Sequence, residues 1–201
     1  GLVLALKYHL SDNERLTEQM LRKLLRDNKN KLNTGFVGTP LLCNVLTEHG
    51  MTDLAYRLLL NEEYPGWLHE VKLGATTVWE RWNSLDENGR ISSTGMNSLN
   101  HYSYGAVLEW IFRYVAGIDV TEQGPGGKMM RISPKVDYKL GSASAVYDSA
   151  SGCYRCGWQI ANGDQITVTV TVPFGAKAQV ILPYAPDSVY HDTENPLFET
   201  V

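Results

Sequence analysis

Up to about residue 117 the apolar positions recur every three or four residues, and beyond it they alternate. In the first part, Leu16, Met20, Leu21, Leu24 and Leu25 mark one face of a helix. "SDNE" at residues 11–14 precedes it as a capping box, with Ser11 accepting from the new helix and Glu14 reaching back. Lysines and asparagines end that helix near residue 30. Thr39 and Pro40 offer an N-cap and a first-turn proline for a helix carrying Leu41, Leu42, Val45 and Leu46, which Gly50 closes. "TDLAYRLLL" begins another helix almost at once, and a last long one is predicted over 98–116, stopped by Gly117. Short links between helices imply antiparallel packing of neighbours. Residues 61–97 break this rhythm with Pro, Gly, Asn, Ser and three of the five tryptophans, which predicts a long, ordered but irregular connection.

The second part reads as strands. "GPGG" at 124–127 is a loop, and its glycine spacing does not match a phosphate-binding Walker loop. "YRCGWQIANGDQITVTVTV" is a hairpin signal: Tyr154, Cys156, Trp158 and Ile160 share one face, and Asn162-Gly163 suits a type I′ turn. On the returning strand Ile166, Val168, Val170 and Val172 face one way and the threonines the other, the pattern of a half-buried antiparallel sheet. "AQVILP" supplies a further strand, and from about Pro186 no period is evident. The predicted class is α+β and multidomain: a helical part over residues 1–117, followed by a small antiparallel β-sandwich over residues 118–201.

Composition narrows the function classes. With 43% hydrophobic and 20% charged residues in 201, the chain is ordinary globular protein rather than disordered. Eighteen basic against 22 acidic residues give a net charge of −4, without the basic footprint of a nucleic-acid binder. No run of about 18 apolar residues predicts a membrane span. The opening "GLVLALKYHL" reads as helix with neither an initiator Met nor a signal peptide, so a piece of something longer is expected. Three cysteines, an odd number, fit a reducing compartment, and a cytoplasmic location is expected. Cys153 and Cys156 sit three apart on a strand and point to opposite faces, and neither a second pair nor a suitably spaced His completes a zinc site. No metal or cofactor is expected.

"GATTVWERW", residues 74–82, is where chemistry is concentrated. A single Glu beside an Arg is ordinarily a solvated surface carboxylate. Glu80, however, stands between Trp79 and Trp82, in an irregular segment next to helix ends, where sites are commonly built. "NHYSYGAVLEW" places His101 in the first turn of the predicted last helix, and Tyr104, Leu108, Ile111 and Val115 follow it on one stripe. A helix N-terminus favours neutral imidazole, which hydrogen-bonds a hydroxyl without adding charge. The plainer alternative for His101 is a core or capping histidine. Glu48, Glu62, Glu63 and Glu70 default to the surface.

"TGFVGTPLL", "LAYRLLLNEEYPGWL", "GATTVWERW" and "NHYSYGAVLEWIFRYVAGI" together closely resemble the C-terminal part of bacterial α-L-rhamnosidases, inverting glycoside hydrolases. More loosely, the resemblance runs from "MRISPK" to "VILPYA". It implies late helices of an (α/α)6 barrel followed by a C-terminal β-sandwich, Glu80 as general base and His101 as a sugar contact. An inverting enzyme sets a second carboxyl roughly 6.5–9.5 Å from the base to leave room for water. Trp79 and Trp82 would exclude bulk water and pack against the deoxysugar, and loop amides or threonine hydroxyls, with Thr76 and Thr77 as candidates, would hold the Glu80 charge. The implied partner is a rhamnosylated glycoside or oligosaccharide, and neither nucleic acid nor membrane. In the family the general acid lies in an upstream motif with no counterpart in residues 1–73, so the chain alone is expected to hydrolyse an aryl α-L-rhamnoside negligibly. A partial barrel leaves apolar faces that association of copies or repacking would hide. Two other readings stand beside this one. One is a different inverting α/α-barrel glycosidase. The other is a non-catalytic carbohydrate-binding or structural module using Tyr154 or Trp158, although alternation assigns both to a core.

Overall fold

The computed structural model describes residues 1–184 apart from Glu87, Thr94, Gly163 and Asp164. The aperiodic stretch from about Pro186 therefore lies outside the described residues. The chain divides into two compact units, Gly1–Ile111 and Phe112–Val201.

The first unit is helical: α1 Leu2–Lys7, α2 Glu14–Asp27, α3 Thr39–Glu48, α4 Thr52–Leu59, α5 Trp67–Lys72 and α6 Val107–Trp110. α1 packs on α2 and α3, and α3 on α4 and α6. Leu6, Leu42, Leu46, Met51, Leu58 and Trp110 are fully buried. Trp110 is held from two sides, its Nε1 donating to Thr47 Oγ1 at 2.8 Å and its ring meeting Tyr56 edge-on at 5.2 Å. Both interactions suit an indole, which needs a partner for its N–H once buried.

The start of α2 differs from the expected capping box. Asn13 is the cap, its side-chain oxygen accepting from the Leu16 amide at 3.0 Å. Ser11 meets the Thr17 hydroxyl at 2.7 Å, and Glu14 reaches His9 Nδ1 at 2.6 Å instead of turning back. Because the helix starts at Glu14, Asn13 is the residue next to the unpaired amides, and Ser11 lies too far upstream. Asn13→Ala is expected to lower the unfolding free energy by about 1 kcal/mol, read from denaturant unfolding followed by far-UV circular dichroism. The apolar face of α2 also splits. Thr17, Leu21 and Leu25 are buried, whereas Leu16, Met20 and Leu24 form an adjoining row that is 52, 50 and 54% exposed.

Elsewhere the elements shift by small steps. Thr39 is the first residue of α3 rather than its cap, with Pro40 in the first turn as expected. α5 lies inside the stretch expected to be irregular. Described residues elsewhere in that stretch are held by local hydrogen bonds: Leu85 bridges Ile91, and the Asp86 carboxylate accepts from the amides of Asn88 and Arg90. The long helix expected over 98–116 starts later and changes winding. A 3-10 turn, Ser103–Ala106, leads into α6, and a wide π turn, Ile111–Val115, follows. Tight and wide turns shift the phase of the helix face. Tyr104 and Val115 are thus buried while Leu108, expected on the same stripe, is 56% exposed.

The second unit holds β1 Ile118–Val120, β2 Met129–Ile132, β3 Ser142–Ser149, β4 Gly152–Ala161, β5 Gln165–Thr171 and β6 Lys177–Val180. Gly117 leads into β1 at φ +85°, where a Cβ would sit 2.3 Å from the Pro134 nitrogen. Only glycine allows both that backbone and that approach. One sheet, β3-β4-β5, is antiparallel throughout. The other, β1-β2-β6, is mixed: β2 pairs antiparallel with β1 but parallel with β6, a departure from the all-antiparallel expectation. Ile118, Met130 and Ile132 of one sheet and Tyr154 and Cys156 of the other form one buried cluster, against which Val168, Val170, Ala178 and Val180 pack.

β4 behaves as its alternation requires. Tyr154, Cys156 and Trp158 are buried and Arg155 is exposed. The Tyr154 hydroxyl donates to the Gly127 carbonyl oxygen at 2.7 Å, and Trp158 Nε1 donates to the Val115 carbonyl oxygen at 2.7 Å. Neither ring has a face to offer a sugar. Cys156 points inward, where burial pushes its thiol up to about 11, and Cys153 is on the other face. Thiols raised in this way are poor nucleophiles. The two-residue turn expected at Asn162-Gly163 falls partly outside the described residues. Asn162 has φ +53°, and Ala161 pairs with Gln165.

Candidate active site

The "GATTVWERW" segment follows α5, and α5 braces it. Trp67 and Glu70 are three apart, so both project from one face of that helix. Trp67 Nε1 donates to the Tyr104 carbonyl oxygen at 3.0 Å, and its ring meets that of Trp82 edge-on at 5.5 Å. Trp82 in turn stacks flat on Tyr104, 4.0 Å between centroids and 3° between planes, and its Nε1 donates to the Thr34 carbonyl oxygen at 3.4 Å. From the segment before α3, Phe36 packs against Tyr104 at 5.5 Å and stacks on His101 at 5.0 Å. Tyr102 stacks on His101 at 5.2 Å. The result is a continuous aromatic wall from Trp67 to Tyr102. Beside Trp82 opens a depression of about 430 Å³ with Asn28, Lys31, Thr34 and Tyr64 on its walls.

Glu80 and His101 sit on two irregular segments joined by hydrogen bonds. The Glu80 amide donates to the Ser98 carbonyl oxygen at 2.9 Å and the His101 amide to the Val78 carbonyl oxygen at 2.8 Å. The Thr77 hydroxyl donates to the Leu99 carbonyl oxygen. Next to Glu80, the Arg81 amide donates to Ser84 Oγ at 3.1 Å, and that buried hydroxyl donates to Asn97 Oδ1 at 2.6 Å. The backbone around Glu80 is thus fixed on both sides, while its side chain is half-buried. Thr77 does not serve the carboxylate as expected. A hydroxyl has one hydrogen, and that of Thr77 goes to Leu99; Thr76 is exposed.

His101 precedes the 3-10 turn rather than lying within a helix. Its Nδ1 accepts from the Ser103 amide at 3.3 Å. In the neutral ring that bond places the hydrogen on Nε2, leaving Nε2–H as a donor. The N-cap of the turn is Tyr102, and the histidine ring takes the amide of the turn's first residue.

The two tryptophans divide. Trp82 is half-buried at the aromatic wall, whereas Trp79 is 2% exposed and belongs to the core. A buried indole presents no open face to a sugar. Glu70, assigned to the surface by default, is only 3% exposed. Its Oε2 accepts from the Trp79 amide at 3.5 Å, and its Oε1 is buried with no hydrogen-bond partner among the described residues. Burial pushes this carboxyl up to about 7, with the Trp79 amide pulling slightly the other way. Burial also raises the Tyr104 hydroxyl, as does the nearby Glu70 charge, against a lowering by Arg81. The spacing Trp67-x-x-Glu70 was the signal available in the sequence, since it places the acid on the face of its buried neighbour.

Comparison with known proteins bears directly on this arrangement. Residues 1–115 match the bacterial α-L-rhamnosidase 6-hairpin glycosidase domain, and residues 117–195 match the bacterial α-L-rhamnosidase C-terminal domain. An α-L-rhamnosidase of Alteromonas sp. (strain LOR) is 43% identical over 84% of this chain and 18% of its own length. One of Formosa agariphila is 39% identical over 96% of this chain and 21% of its own length. The crystal structure of the Streptomyces avermitilis α-L-rhamnosidase complexed with L-rhamnose superposes with a TM-score of 0.86 at 36% identity, covering 92% of this chain and 18% of that one. The chain spans about a fifth of the length of these relatives. With both domain families matched in order along its length, the chain belongs to the bacterial α-L-rhamnosidase family.

Proposed function

We propose that this chain supplies the general-base side of an inverting α-L-rhamnosidase site. In this reading residues 1–117 are the late part of the catalytic barrel and residues 118–201 a C-terminal β-sandwich. The Glu80 carboxylate accepts a proton from a water that attacks the anomeric carbon on the face opposite the leaving oxygen. His101 donates from Nε2 to a sugar hydroxyl, and Trp82, with Phe36 beside it, covers the apolar side of the deoxysugar. Trp79 acts through packing alone. The general acid comes from a segment of the intact enzyme other than this one, so the 201-residue chain does not complete the reaction by itself.

The lacing of residues 77–80 to 98–101 supports the reading most strongly. It holds the proposed base and the proposed sugar donor on adjoining, braced segments beside an aromatic wall. The test is stereochemical. Proton NMR of an intact α-L-rhamnosidase containing this segment, acting on an aryl α-L-rhamnoside, is expected to show β-L-rhamnose first and the α-anomer only after mutarotation. Initial release of the α-anomer would exclude inversion, and failure to release rhamnose would exclude the substrate.

A further inference from the structure

We infer that Glu70 is a positioning residue for Glu80: it clamps both ends of the loop that carries the base and holds the amide one residue before it. This rests on the reading of Glu80 as general base. The main chain of Glu70 holds the near end, its carbonyl oxygen accepting from the amides of Leu73 at 3.1 Å and Ala75 at 3.0 Å. Its side chain holds the far end, Oε2 accepting from the Trp79 amide at 3.5 Å. Three residues earlier on the same helix face, Trp67 ties to Tyr104 and Trp82. α5 therefore grips the segment on either side of Glu80, at 79 and at 82.

The choice of a carboxyl for this task has a physical logic. A buried acid in its protonated form carries its hydrogen on one oxygen and leaves the other as a neutral carbonyl acceptor. With Oε2 turned to Trp79, the hydrogen belongs on Oε1, the oxygen with no other partner among the described residues. A glutamine has the same shape, with its amide nitrogen in place of the hydroxyl. An apolar residue of similar length fills the space but leaves the Trp79 amide, itself buried, without an acceptor.

The experiment compares Glu70→Gln and Glu70→Met with wild type and Glu80→Gln in an intact enzyme containing this segment. Glu70→Met is expected to lower kcat about 10- to 100-fold with KM changed less than about threefold, since displacement of a catalytic group by about 1 Å costs on that order. Glu70→Gln is expected to keep kcat within about threefold, a rescue that bulk packing would not produce. Methionine activity within about twofold of wild type, or a glutamine variant as damaged as the methionine one, overturns the inference. An active Glu80→Gln would instead defeat the general-base reading, so the two failures are told apart. Should the methionine variant lack native near-UV circular dichroism, hydrogen exchange of the wild-type Trp79 amide decides. Protection of about 100-fold or more upholds the clamp, and exchange at the rate of an open loop removes it.

Discussion

Glu80→Gln in an intact α-L-rhamnosidase containing this segment is expected to lower kcat by about 10²- to 10⁴-fold, the range contributed by a positioned general base. The amide keeps the size and half-buried setting of the side chain but has no basic oxygen to take a proton from water. KM is expected to change much less, because sugar recognition in this reading falls to His101 and the aromatic wall. The loss should therefore appear almost equally in kcat and kcat/KM, the signature of an interaction made in the transition state. A companion variant separates chemistry from folding. In Glu80→Ala, azide needs no base and fits the space the carboxylate vacates, so added azide is expected to restore turnover and yield the β-rhamnosyl azide. A loss of only a few-fold in the glutamine variant, measured with an aryl α-L-rhamnoside, would remove Glu80 from the chemistry.

Parts of this molecule could be read from the chain because their causes are local. The alternation of Tyr154, Cys156 and Trp158 defines the inner face of β4, and the structure buries all three. The helical repeats around Val45 and Leu54 behave similarly, each residue sealed within the first unit. Where causes are distant, the local pattern does not carry them. The parallel pairing of Met130 with Ala178 joins residues far apart in sequence and leaves no periodic trace at either. At the last helix the break comes from backbone winding, which hydrophobic spacing does not encode, so the spacing predicts His101 inside a helix that it in fact precedes. Trp79 and Trp82 look alike in sequence, yet Trp79 is core and Trp82 lies at the wall, a division that their spacing does not encode. Glu70 is the most instructive case. In "WLHEVK" a glutamate two residues before a lysine looks solvated, yet it shares a helix face with buried Trp67 and the chain returns over it at Trp79.

That burial also makes the stability of the protein pH-dependent in an unusual direction. The ordinary glutamate value is 4.5, and burial raises Glu70 to about 7 in the folded state. Between these values the folded chain keeps a proton that the unfolded chain has released. Stability from this group is therefore complete below about 4.5, declines as pH rises, and reaches its lowest level above about 7. A difference of this size corresponds to about 3 kcal/mol, an order-of-magnitude figure for a carboxyl that is almost fully buried. Structural carboxylates held by ion pairs behave oppositely, gaining stability over the same rise. Other groups titrate in this window too, so the comparison that isolates Glu70 is wild type against Glu70→Gln, which cannot ionise. Denaturant unfolding of the 201-residue chain, followed by fluorescence, reports mainly the first unit, since Trp67, Trp79, Trp82 and Trp110 all lie in it. The gap between the two proteins is expected to move in favour of Glu70→Gln by about 3 kcal/mol as pH goes from 4.5 to 8. A gap that stays constant would mean that Glu70 ionises in the fold as freely as in the unfolded chain, and that the carboxyl beneath the Glu80 loop is hydrated.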